Sequence, residues 1–152
     1  MKKFDPYNYF GFLTHRIARL IDMDLGPKLK ELGYGIPPSC IGVLADLWQE
    51  DGINQKDLGL SVIKTKSSIN KILEALEKHE LIIKKEDPSD KRNKLIFLTK
   101  DGKNLRLKIE AQAITATKDL LPDISLNDIK TTKIVLKALY LQLCEKHSII
   151  IK

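Results

Sequence analysis

Two clusters of side chains have the types and spacing to do chemistry. The first is Lys66-Ser67-Ser68-Ile69-Asn70-Lys71, continuing to Glu74 and Lys78. If this segment is helical, Ile69, Ile72, Leu73 and Leu76 form one apolar stripe. Ser67, Lys71, Glu74 and Lys78 then share the opposite side, flanked by Ser68 and Asn70. Hydroxyls and amides donate to phosphates or to base edges, and lysines neutralise phosphate charge, so such a face suits a nucleic-acid groove. It also suits a merely solvated helix surface. The second cluster lies between residues 84 and 94, where Lys84, Lys85, Lys91, Arg92 and Lys94 stand against Glu86, Asp87 and Asp90. Neither cluster has catalytic form. His15, His79 and His147 are dispersed and show no metal-ligand spacing with Cys40 or Cys144. Neither a glycine-rich phosphate loop nor a nucleophile elbow occurs. No cofactor and no metal are expected, and the chain is not expected to be an enzyme.

Charge supports an anionic partner for the middle of the chain. The net charge is +6 over 152 residues, and residues 53–103 alone carry 12 basic against 8 acidic side chains. The length suits one domain able to bury a core without staples. Cys40 and Cys144 are therefore expected as reduced thiols. Apolar runs fall short of the roughly 20 residues a membrane span needs. Asp5, Pro6 and Asn8 interrupt any signal peptide beginning at Met1-Lys2-Lys3, so the expected location is cytoplasmic with no membrane partner.

The elements that must position these clusters follow from periodicity. A helix is expected from about Tyr7 to Leu32, with Pro27 either kinking it or opening a second segment. Gly33, Gly35, Pro37 and Pro38 break the chain, and Ser39 is the expected N-cap of a short helix ended by Asp51-Gly52. Asn54 and Asp57 form a capping-box spacing that starts another short helix, and Thr65 caps the periodic one. Leu81-Ile82-Ile83 and Leu95-Ile96-Phe97-Leu98 read as a hairpin with a long charged tip. Two more helices follow, from Thr99 to Leu121, stopped by Pro122, and from Ser125 onward. The last is apolar on more than one side through Ile134, Val135, Leu136, Ala138, Leu139, Leu141 and Leu143, which calls for more than one neighbour.

This order of elements is that of a winged helix-turn-helix, and Asp90-Lys91-Arg92 followed by Leu98-Thr99-Lys100-Asp101-Gly102 resembles the wing signature of the MarR (multiple antibiotic resistance regulator) family. Lys66 to Lys71 and Leu76-Glu77-Lys78 are similar to that family's recognition helix. The resemblance implies a mainly α fold with a small β wing, and N- and C-terminal dimerisation helices flanking the winged helix-turn-helix. Residues 1–36 and 104–152 would form the dimerisation region and 37–103 the DNA-binding region. The implied function is that of a homodimeric regulator, a repressor released by a small ligand, bound to a roughly palindromic double-stranded DNA operator. A winged-helix module that binds protein rather than DNA stays open as the alternative. Lys66, Ser67, Ser68, Asn70 and Lys71 would meet the groove. Arg92 would enter the minor groove with Asp90 as its brace, and Lys91 and Lys94 would meet phosphates.

The same resemblance implies a small aromatic ligand, for which Tyr9, Phe12 and His15 are the candidates; such residues also serve as dimer core. The family's peroxide-sensing branch has its reactive cysteine near the start of the first helix, where this chain has none. One departure concerns the turn before the wing. Glu80 stands where the family has glycine, so either the helix ends differently or His79 takes the turn.

Overall fold

A computed structural model describes residues 4–120 and 122–149, with side chains 114–120 outside the description. Helix α1 spans Phe10–Glu31, α2 Cys40–Gln49, α3 Gln55–Ser61, α4 Lys66–Lys78, α5 Lys100–Leu120 and α6 Leu126–Lys146. The strands are β1 (Ile53–Asn54), β2 (Ile82–Glu86) and β3 (Lys94–Leu98). They form an antiparallel sheet ordered β1-β3-β2, with Ile53 opposite Ile96 and Ile82 opposite Leu98. The fold is the expected mainly α winged helix-turn-helix with flanking helices.

Local chemistry accounts for most helix starts. The side chains of Asn54, Thr65 and Ser125 accept backbone N–H bonds from Lys56, Ser68 and Asp128, as N-caps do. Ser39 departs from expectation: its backbone is already helical and its side chain makes no capping bond. The carbonyls of Pro37 and Pro38 instead take the N–H groups of Cys40 and Ile41 at 2.9 and 3.0 Å. The first long helix also begins later than Tyr7. Asp5 accepts from the Tyr7 N–H and closes a separate turn over Pro6–Asn8, and Tyr9 is extended before α1 starts. Pro27 lies inside α1, which continues through it. Leu121 lies outside the described residues.

Helices α1, α3, α4 and α6 end alike. The residue after each cap has positive φ, and the next N–H reaches back to the carbonyl five positions earlier, as from Lys64 to Gly59 and from Leu81 to Leu76. Gly33 fills that position in α1 without strain, whereas Ile63 (φ 54°), Glu80 (φ 55°) and Ser148 (φ 53°) carry side chains there. Glu80 itself, rather than His79, therefore takes the turn before the wing.

The core draws on residues 29–105. Val43, Leu44 and Leu47 of α2, Leu58 of α3, Ile69, Ile72, Leu73 and Leu76 of α4, and Ile96 and Leu98 of β3 bury together, joined by Leu29 and Leu105. The wing is fastened at its base. Thr99 donates its hydroxyl to the Glu80 carbonyl (2.6 Å) and its N–H to the Leu81 carbonyl (3.0 Å), while its hydroxyl oxygen accepts the Gly102 N–H (3.0 Å). A Cβ on Gly102 would lie 2.1 Å from the Leu81 carbonyl oxygen, and the Gly102 carbonyl accepts the Trp48 indole N–H. Those contacts give the Leu98-Thr99-x-x-Gly102 spacing its physical reason.

Candidate nucleic-acid interface

Burial of Ile69, Ile72, Leu73 and Leu76 fixes the rotation of α4, which turns Lys66, Ser67, Lys71 and Glu74 outward. Lys66, Ser67, Asn70, Lys71 and Glu74 line a shallow concavity of about 540 Å³ on that outer face. Asn70 is half-committed, since its side-chain oxygen accepts from the Gln55 amide of α3. Its own NH₂ group remains to donate outward. Ser68 belongs to the cap, where the Thr65 hydroxyl donates to its Oγ at 3.0 Å.

At the wing, both Asp90 oxygens accept from Arg92, from Nε at 3.0 Å and from Nη2 at 3.1 Å. The Arg92 side chain is nevertheless 91% exposed, so the brace holds its direction without covering it. Asp90 also accepts from the Arg92 backbone N–H at 3.1 Å and from the Asn93 side-chain amide at 3.2 Å. The Arg92 guanidinium, first among these donors, holds the Asp90 carboxyl below its usual range. Ser89 does the same for Asp87. Lys94 pairs with Glu86 across the strands at 3.1 Å, and Lys91 is exposed.

A second concavity joins these parts. It measures about 490 Å³ and runs from α3 across the α3–α4 turn to the wing, lined by Lys56, Lys64, Lys66, Arg92 and Lys94 with Asn54, Gln55 and Asn93. Five cations and no carboxylate border it. Lys56 and Lys64 escaped the sequence reading because only the turn at Val62-Ile63-Lys64 brings them beside a wing some thirty residues away. The capping spacing at Asn54 and Thr65, which places that turn, was the available signal.

Tyr9, Phe12 and His15 are spread along the start of α1. Tyr9 stacks on Phe4 at 5.1 Å, Phe12 meets the edge of Tyr7 at 5.5 Å with Arg16 over its ring, and His15 is exposed. A more apolar cleft of about 200 Å³ lies further along, between Ile21, Leu25 and Leu29 of α1, its C-cap Leu32, and Ile109 of α5. Among the described residues no cluster of His, Cys, Asp and Glu could hold a metal, and no helix is long and apolar enough to cross a membrane.

Comparison with known proteins places this geometry. Residues 37–94, which span α2 through the wing to the start of β3, match the model of the MarR family. That segment is similar to a MarR-family winged helix. The organic hydroperoxide resistance transcriptional regulator of Bacillus subtilis (strain 168) is 29% identical over 140 residues, covering 92% of each chain. A putative transcriptional regulatory protein for the hcr operon of Thauera aromatica is 28% identical over 108 residues, which cover 71% of this chain and 65% of that relative. Among solved structures, a MarR transcriptional regulator from Methanosarcina mazei Go1 superposes with a TM-score of 0.81 at 22% identity, covering 89% of this chain and 96% of that one. That last likeness is one of fold. The MarR match includes both the outer face of α4 and the Asp90–Arg92 brace.

Proposed function

We propose that this chain is a MarR-family transcriptional regulator that binds a roughly palindromic double-stranded DNA operator as a homodimer and represses until a small ligand releases it. The observation that carries the reading is the cleft with five cations and no carboxylate, which runs from α3 to the wing beside the polar outer face of α4. A track of that kind follows a phosphate backbone while the helix beside it enters the major groove. Residues 37–103 form the DNA-binding region in this reading. Lys66, Ser67, Asn70 and Lys71 meet the groove, and Ser68 secures the start of α4. Lys56, Lys64, Lys91 and Lys94 meet phosphates. Arg92, aimed by Asp90, enters the minor groove, where narrow A·T-rich DNA concentrates negative potential.

Residues 1–36 and 104–152 form the dimerisation region. The support is the apolar surface that α1 and α6 leave uncovered, including Ile17, Leu20, Ile134 and Val135, each at least half exposed. Two-fold symmetry then sets half-sites about one helical turn, ~10 bp, apart. Release by an aromatic ligand rests on the ring-rich start of α1 around Tyr9, Phe12 and His15, which the dimer would enclose.

The test is a salt-controlled binding titration of the full-length protein on the region upstream of its own gene. Arg92→Ala is expected to weaken binding about tenfold with the melting temperature unchanged, because that side chain is 91% exposed. Lys64→Ala should lower the salt slope by about one unit for each protomer in which Lys64 contacts a phosphate. No complex at low salt, together with a stable protein partner, would overturn the reading in favour of a protein-binding winged helix.

A further inference from the structure

Glu74 is the acidic group that a DNA-binding face should not carry. Counted at about 100° per residue, the direction opposite the buried stripe of α4 passes within about 10° of Ser67 and about 30° of Glu74. The carboxylate thus stands near the middle of the outward face, in the concavity it shares with Ser67, Asn70 and Lys71. Glu77, three residues on, pairs with Lys84 at 2.8 Å, and on the wing Glu86 pairs with Lys94 at 3.1 Å and Asp90 with Arg92 at 3.0 Å. Glu74 has no ion pair among the described residues, although Lys71 and Lys78 lie one turn away on either side of it.

Position on the face decides what such a group meets. Residues at the margins of a groove-bound helix approach the phosphates, and residues at its middle approach the groove floor. There the four bases differ. Guanine and thymine present acceptors that repel a carboxylate, and adenine sets its amino group beside the N7 acceptor. Cytosine presents the N4 amino donor alone, while its paired guanine offers N7 and O6 to a cation. Resting on the DNA-binding reading above, we propose that Glu74 is a specificity residue that accepts from a cytosine N4 amino group. Lys71, one turn earlier, takes the guanine acceptors, so the two together select a C·G pair in each half-site.

The experiment measures Kd for a set of single-base operator variants with the wild type, Glu74→Ala and Glu74→Gln, all as full-length protein. The wild type should lose about tenfold or more when one cytosine per half-site is replaced, and Glu74→Ala should reduce that penalty to about twofold. Glu74→Gln should shift the preference there to adenine, because an amide matches the N6 donor and N7 acceptor together. If both variants bind every sequence more tightly by one common factor and keep the wild-type base profile, the carboxylate only repels phosphate and the assignment falls. A wild type that forms no sequence-selective complex would overturn the DNA-binding reading itself; selective binding indifferent to residue 74 would overturn only this proposal.

Discussion

The lobe from α2 to the wing and the terminal helices α1 and α6 are built on opposite economies of burial. Every helix and strand of the lobe places side chains in one core, so that Leu44, Leu58, Leu73 and Ile96 have no solvent exposure. Over its 22 residues α1 buries Leu29 alone, and α6 buries only Cys144 over 21. Both are apolar enough to do more: Ile134 is 60% exposed, and Leu136, Tyr140 and Leu143 are each more than 40% exposed. A helix in water needs an apolar face packed against something to persist. The lobe supplies its own partner surfaces, whereas the terminal helices leave most of their apolar faces uncovered.

The sharpest way to break this contrast is to charge the uncovered surface. Leu20→Asp combined with Ile134→Asp should convert the proposed dimer to monomer in sedimentation and lower affinity for the proposed operator about a hundredfold or more, since one half-site no longer reinforces the other. The lobe should still unfold cooperatively. If instead it melts with the helices, the two regions are one unit and the contrast fails. Next in size, Leu73→Ala should cost about 3 kcal/mol in urea denaturation, because it opens a cavity in a packed core, and should leave the oligomeric state of the folded fraction unchanged.

Smaller effects test the ends of the lobe helices. Glu80→Gly should stabilise the protein by about 1 kcal/mol by relieving a positive φ that only glycine adopts freely, and Ile63→Gly should act in the same direction. Equal melting temperatures would show that the turns store no strain. The smallest expected effect is at Cys40, whose thiol burial pushes up to about 11. At neutral pH its thiolate fraction falls about a hundredfold below that of an ordinary thiol, so alkylation of the native protein should be slow and peroxide should leave operator binding unchanged. The unfolded thiol ionises first as pH rises. The stability held by this group is therefore complete below about pH 9 and declines as pH climbs towards 11.

Much of this was legible where the cause is local. The caps at Asn54, Thr65 and Ser125, the stripe of α4 and the Asp90–Arg92 pair each depend on residues within a turn of one another. What escaped depends on distance in the chain. Strand β1 has two residues, too few to show alternation, and exists because Ile53 pairs with Ile96. Asp51 extends that edge by accepting the Leu98 N–H at 2.8 Å. Ser39 looked like a cap because serine usually is one, but the two prolines before it already offered their carbonyls. The five-cation cleft needed the tertiary approach of α3 to the wing, which no spacing within either segment encodes. Glu80 shows the converse: the sequence places a non-glycine residue at the motif's glycine position, but only the backbone reveals that Glu80 itself, rather than His79, takes the positive-φ turn.

The crowding at Gly102 has a mechanical consequence. With the Leu81 carbonyl where a Cβ would stand, and with Thr99 and Trp48 bonded on either side, the first turn of α5 and the root of the wing move as one piece. No pivot can sit at that joint. Any signal that changes the angle of the terminal helices must therefore either swing the whole wing with α5, tip and all, or be absorbed farther along that helix before it reaches the lobe.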